Sequence, residues 1–330
     1  MKIVYLIGNG FDLNLGLKTS YKEFYNYYKT QEDDSPAVHE FKNDISKNLA
    51  KWSDLEVRLG EYTKKLSSLD ELDEIHESVV DELAEYLKKI QDNFVEKLPD
   101  IDVERFKECL FHPETYLRER DANLLREFYR GYGGNINSYH IVNFNYTNVI
   151  EQILNVDTLS NHHRNLNITH QKSNKLYKIE SILHLHGSLD EDMVLGVDRV
   201  NQIINEDFSN DIDAKNLLVK TECNSVMRHG VDLECEKLIS NSNLICIFGS
   251  SIGDTDQTWW DLIATQLKTR DCRLVIFEYN PNFNKRRSQI QDRLRREVLK
   301  KFFEPEEIEE MSGRVYFRFN SEMFSLIKDQ

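Results

Sequence analysis

The sequence predicts an α/β protein with a Rossmann-like open, mostly parallel sheet and a large helical insertion after the first strand. Three observations carry this reading. Short, nearly continuous apolar runs recur along the chain, as expected of parallel strands covered on both faces. Most of these runs end in a polar or glycine turn and lead into a helical pattern. Between the first run and the second, residues 20–134 show helical periodicity instead.

The first run, Lys2–Ile7, stops at Gly8-Asn9-Gly10-Phe11-Asp12. Tyr139–Phe144, Asn243–Phe248 and Cys272–Phe277 repeat the pattern, and Ser181–Leu185 and Arg314–Phe319 are weaker versions. In the insertion, Leu72, Ile75, Val79, Leu83, Leu87, Ile90, Phe94 and Leu98 fall at three- and four-residue spacing. They mark one apolar stripe along a helix of about seven turns. Ser53-Asp54-Leu55-Glu56 has the form of a capping box opening another helix. We expect residues 20–134 to sit as a lid over the sheet edge that carries the first turn. Residues 1–19 and 135–330 would form the nucleotide-binding domain. Asn155–Lys178 reads as irregular, with His162, His163 and His170 at the surface. Leu195–Asp198 reads as a short strand, followed by two or three helices up to Ser240.

The chain has 330 residues, enough for about two domains. Glycine and proline are sparse, at 13 and 5 residues, which excludes a linker-rich or disordered chain. The net charge of −15 repels phosphate backbones. Non-specific nucleic-acid binding is therefore not expected unless a local basic patch exists. None of the five cysteines stands at C-x-x-C spacing, so neither a disulfide framework nor a cysteine zinc site is expected. No metal is expected elsewhere either. The first residues lack signal-peptide character, and no apolar run reaches the roughly 18 residues of a membrane span. The expectation is a cytoplasmic protein without membrane contact.

Five turns carry the chemistry, each directly after an apolar run. Gly8-Asn9-Gly10-Phe11-Asp12 allows close backbone approach to a phosphate, or is simply a tight strand-to-helix turn capped by Asp12. Asn143-Phe144-Asn145-Tyr146-Thr147-Asn148 holds more polar residues than one helix cap needs. In His184-Leu185-His186-Gly187, both histidines would share a face if the strand continues. His186 would then stand at the strand's end as a general base, with His184 more buried. Gly249-Ser250-Ser251-Ile252-Gly253-Asp254 offers small groups to a phosphate or ribose, and Asp254 could accept from ribose hydroxyls or cap the next helix. Asn280 offers a donor and an acceptor, or forms a plain Asn-Pro turn. Together the turns would line one crevice at the carboxyl edge of the sheet, which favours a nucleotide. A bulky residue at Gly10 or Gly249 should then block the ligand and spare the fold.

The opening LIGNGFDLNLGLKTSYKEF, WSDLE at Trp52–Glu56, FNYTN, HLHGS and FGSSIGDTD resemble the bacterial abortive-infection AbiH family of phage-defence proteins. More distantly, the order of turns resembles the sirtuin-like superfamily. The corresponding positions are Gly8-Asn9-Gly10, Asn145, His186-Gly187, Gly249-Ser250-Ser251 and Asn280. No zinc ribbon is present, and Thr147 stands where an acidic residue is expected, which argues against a protein deacylase. The resemblance implies cleavage of NAD as substrate to nicotinamide and ADP-ribose. His186 would be the base and Asn145 would position ribose and water. Gly8, Asn9, Gly10, Phe11, Asp12, Thr147, Gly249, Ser250, Ser251, Asp254 and Asn280 would hold the nucleotide. A phage-derived trigger and a homo-oligomer are further expectations. A nucleotide sensor without turnover and a phosphate-ester hydrolase, kept open by Asp254 and Asp256, are the alternative readings.

Overall fold

Eight strands form one sheet among the described residues of the computed structural model. They are β1 (Lys2–Ile7), β2 (Ile136–Asn143), β3 (His162–His163), β4 (Ile168–Lys172), β5 (Lys175–His184), β6 (Leu244–Phe248), β7 (Arg273–Glu278) and β8 (Val315–Phe319). The structure describes residues 1–328 apart from 33, 34, 50, 51, 53, 134, 135, 157–161, 167, 173, 174, 191 and 285. Strands β5-β2-β1-β6-β7-β8 run parallel in that order. Counted in chain order, these six parallel strands read 3-2-1-4-5-6, the doubly wound nucleotide-binding order. The order reverses between β1 and β6, so the turns after those two strands face each other across the switch point.

Alternation along β1 builds the two faces. Ile3, Tyr5 and Ile7 pack with the helices Val103–Phe111, Glu119–Gly131 and Val149–Leu154. Val4 and Leu6 pack with Val231–Ser240, Gln257–Thr269 and Ser288–Leu299. A third core lies at the carboxyl ends of the strands. It joins Phe24, Phe41, Trp52 and Leu59 and the stripe from Leu72 to Leu87 to Tyr146, Val197, Phe208 and Leu218.

The long helix is present, Leu69–Phe94, close to the seven turns its stripe predicts. The stretch 20–134 nevertheless divides between two cores. Its first part caps the carboxyl edge, while Phe106 to Leu125 cover a face of the sheet. Two contacts fasten the cap to the strand-end loops: Asn148 N–H donates to Gln91 at 2.6 Å, and Lys220 bridges Glu56 to the Thr255 carbonyl. Asp54, not Ser53, caps helix Leu55–Tyr62, accepting from the Val57 N–H at 3.1 Å. Ser53 itself lies outside the described residues.

Two readings change. Asn155–Lys178 is not all irregular: β3 and β4 both pair antiparallel with β5 at the sheet edge, and His163 is buried rather than at the surface. Leu195–Asp198 is not a strand, since only an isolated bridge joins Val197 to Val219, and the segment that follows holds four α-helices. Among the described residues no helix is long and apolar enough to cross a membrane.

Candidate functional site at the carboxyl edge of the sheet

The first and fourth turns touch each other through main chain alone. Gly8 N–H donates to the Phe248 carbonyl at 3.0 Å, Gly10 N–H to Gly249 O at 2.7 Å, and Phe11 N–H to Gly8 O at 2.9 Å. A Cβ on Gly10 would stand 2.6 Å from Gly249 Cα, and one on Gly249 would stand 2.6 Å from Phe11 N. Gly249 also has φ +71°, which favours glycine. These glycines are required by the fold, so a bulky residue there cannot spare it. The same bonds use three of the amides expected to meet a phosphate. Phe11 is a core residue, fully buried against Phe106, Phe248 and Phe324. Asn9 is tied to Thr19: its amide donates to the Thr19 carbonyl at 2.9 Å and its oxygen accepts from the hydroxyl at 2.5 Å.

Asp12, Asn145 and Thr147 do come together, all buried. The Thr147 hydroxyl donates to Asp12 Oδ2 at 2.6 Å. The Asn145 amide reaches Gly8 O at 3.3 Å and Asp12 Oδ1 at 3.4 Å. In this structure it serves the turn. Burial pushes the Asp12 carboxyl up to about 7, with the Thr147 hydrogen bond pulling the other way. His184 completes this cluster. Its Nδ1 lies 2.9 Å from the Asn145 carbonyl and its Nε2 lies 3.0 Å from Glu151 Oε1. Both partners accept, so the ring carries both protons and pairs with the carboxylate. Burial would lower its pKa, but Glu151 prevails and raises it.

His186 does not share that environment. β5 ends at His184, and Gly187 at φ +74° turns the chain. The expected common face is therefore lost. The His186 ring packs edge-on against Phe144, with Nε2 3.0 Å from Asp256 Oδ1. The same oxygen accepts from Lys220 Nζ at 2.9 Å, and Lys220 also donates to Glu56 Oε2 at 3.0 Å. Burial and then the Lys220 ammonium lower the His186 pKa, so the ring is neutral near pH 7. Both ring nitrogens are buried, and neither makes a hydrogen bond among the described residues; the approach of Nε2 to Asp256 is that of an ion pair. Burial would raise Asp256, but Lys220 and His186 hold it well below the usual carboxylate range. Burial raises Glu56 against the pull of Lys220.

The remaining expected residues lie apart from this pair. Asp254 is exposed and pairs with Lys301 at 2.5 Å, because a 3-10 turn over Asp254–Asp256 carries it outward. It does not cap the following helix; that N-terminus is met by Asp198, which accepts from the Thr258 N–H at 3.2 Å. Asn280 forms the plain turn, accepting at Oδ1 from the Asn282 N–H at 2.9 Å while its own N–H goes to Asn320. Ser250 likewise accepts from the Ile252 N–H at 3.1 Å. Ser251 and Asn280 nevertheless border one groove of about 210 Å³, with Ile252, Glu278, Lys301 and Phe319. Ile252 sits there at φ +50°, an unfavourable conformation for a β-branched residue and a mark of stored strain. Among the described residues no three His, Cys, Asp or Glu side chains are grouped to hold a metal ion.

A family model described as bacteriophage abortive infection AbiH matches residues 4–278. The chain belongs to the AbiH family. Membership assigns it a role in bacteriophage abortive infection. No curated protein matches the chain. The AbiH match takes in both buried clusters, from Gly8 to Asp256, and ends two residues before Asn280. Sequence reasoning missed three parts of this AbiH site. Glu151 is one turn beyond the Asn-rich loop, Asp198 stands in an irregular segment, and Lys220 lies in a helix without motif. Asp256 was visible only as a member of an acidic turn, and Glu56 only as part of the capping box.

Proposed function

We propose that this AbiH protein cleaves NAD to nicotinamide and ADP-ribose during abortive infection. The observation that supports it best is His186: a neutral imidazole just past a strand's carboxyl end, buried beside Asp256, with neither ring nitrogen committed to a hydrogen bond among the described residues. In that state the ring can take a proton from water or a ribose hydroxyl as nicotinamide leaves. Asp256 lies beside the ring, and Lys220 fixes the carboxylate. The groove beside Ser251 and Asn280 lies at the same edge of the sheet and offers room for part of the nucleotide. The amides of Gly8, Gly10 and Phe11 are already used, so the first turn contributes shape and not phosphate donors.

His186 is only 5% exposed, so substrate needs the cap to move. That favours an enzyme held silent until a phage-derived trigger, or self-association through the cap, opens it. Action on a soluble dinucleotide fits a cytoplasmic setting, as do five free, buried cysteines. The test is to mix purified protein, with and without lysate from phage-infected cells, with NAD and to measure nicotinamide and ADP-ribose. Release by wild type and not by His186→Gln supports the reading. Equal release by both, or binding of NAD without release under every condition, overturns it.

A further inference from the structure

The chain is acidic overall, yet residues 285–301 hold eight Lys or Arg and only two Asp or Glu. This run joins β7 to helix Ser288–Leu299 and lies beyond the AbiH match. Arg286, Arg293, Arg296 and Lys300 recur at three- to seven-residue steps, and all are exposed. Asp292 and Glu297 engage Arg296 and Lys300 within the helix. Arg286, Arg287 and Arg293 have no ion pair among the described residues. Helix stability does not explain the first two: they stand at the helix N-terminus, where cations oppose the dipole, and no acidic residue follows in the first turn.

An exposed aromatic stands at the start of the same connection. Tyr279 is 77% exposed directly after β7, the most exposed large apolar side chain among the described residues. A membrane surface would need an apolar face beside the cations. The helix has already used its own, with Leu294, Val298 and Leu299 packed on the core. Arginine forks suit phosphate oxygens, and an exposed ring suits an unstacked base.

We propose that Tyr279 to Lys301 is a docking strip for single-stranded nucleic acid, with the three unpaired arginines on phosphates and Tyr279 under a base. The chain's overall acidity makes the binding dependent on this strip and on salt. The assay is fluorescence anisotropy of a labelled single-stranded DNA and RNA of about 20 nucleotides, with the matching duplexes and anionic vesicles as comparison. At low salt, wild type should bind the single strands, with affinity falling steeply as salt rises. Three phosphate contacts correspond to a log–log slope of about −2. The triple variant Arg286→Glu, Arg287→Glu, Arg293→Glu should bind at least tenfold more weakly and lose most of that slope. Tyr279→Ala should weaken single strands more than duplexes. All four positions are exposed, so melting temperatures should stay at the wild-type value. Absence of wild-type binding at low salt, binding untouched by the triple variant, or binding of vesicles in preference to oligonucleotides would each overturn the proposal. The readout needs no turnover, so it stands or falls apart from NAD cleavage.

Discussion

His186 and Lys220 meet the same oxygen. Asp256 Oδ1 lies 3.0 Å from the imidazole and 2.9 Å from the ammonium, and Lys220 continues to Glu56 on the cap. The neutral histidine, its carboxylate and the helices above the sheet are thus one buried network.

If His186 is the base, its loss should lower NAD cleavage by roughly 10²–10⁴-fold. Glutamine is a better substitute than alanine, because the ring is packed on Phe144 and alanine would leave a cavity. Asp256→Asn should lower cleavage as well, with the His186 ring signal shifting in a proton NMR titration. An unchanged His186 titration in Asp256→Asn would show that the carboxylate does not position the ring.

Lys220→Met should be severely destabilising, because Glu56 and Asp256 would remain buried without their cation. Breaking a buried pair of this kind costs about 3–5 kcal/mol. Denaturant unfolding at neutral pH measures it. The loss should shrink in acid, where Glu56 takes up a proton and no longer needs a partner.

Gly10→Ala should unsettle the fold before it affects any ligand. The new methyl would lie 2.6 Å from Gly249 Cα, and overpacking of this sort costs typically about 1–3 kcal/mol. A thermal melt decides it: a melting temperature equal to wild type would show that the two turns separate easily.

Asp12 gives a pH signature. Its carboxyl is raised to about 7 in the fold, so the folded state holds a proton that the unfolded chain releases in acid. Its contribution to stability is complete below the unfolded carboxylate range and is lost as pH rises through about 7. Asp12→Asn keeps the neutral shape at every pH. Its melting temperature should therefore exceed that of wild type above neutrality and converge with it in acid.

The parallel strands were legible because a strand buried on both faces is nearly continuous apolar sequence, as residues 3–7 and Leu244–Phe248 are. β3 and β4 were not, because His162-His163 and Ile168–Lys172 are polar, and only pairing with the outer edge of β5 makes them strands. The turns were legible as polar endings, and the cluster of Asp12, Asn145 and Thr147 follows from their places in the sheet order. What each turn does was not legible. Gly8 and Gly249 looked alike as phosphate loops, whereas their close contact depends on β1 and β6 being neighbours. Lys220 had no signal at all, since its partner Glu56 is 164 residues away and reaches it only through the cap.

The main-chain contact between the first and fourth turns also decides which parts of the molecule can move. The two halves of the sheet are joined at their midline by glycine backbone, with no side chain between them to change rotamer and no gap to widen. That joint is a weld. Under the proposed function, spreading the strands apart would break this main-chain contact before it exposed His186. Exposing His186 would instead mean lifting the cap, which the third apolar core holds down together with the Glu56 and Gln91 bonds.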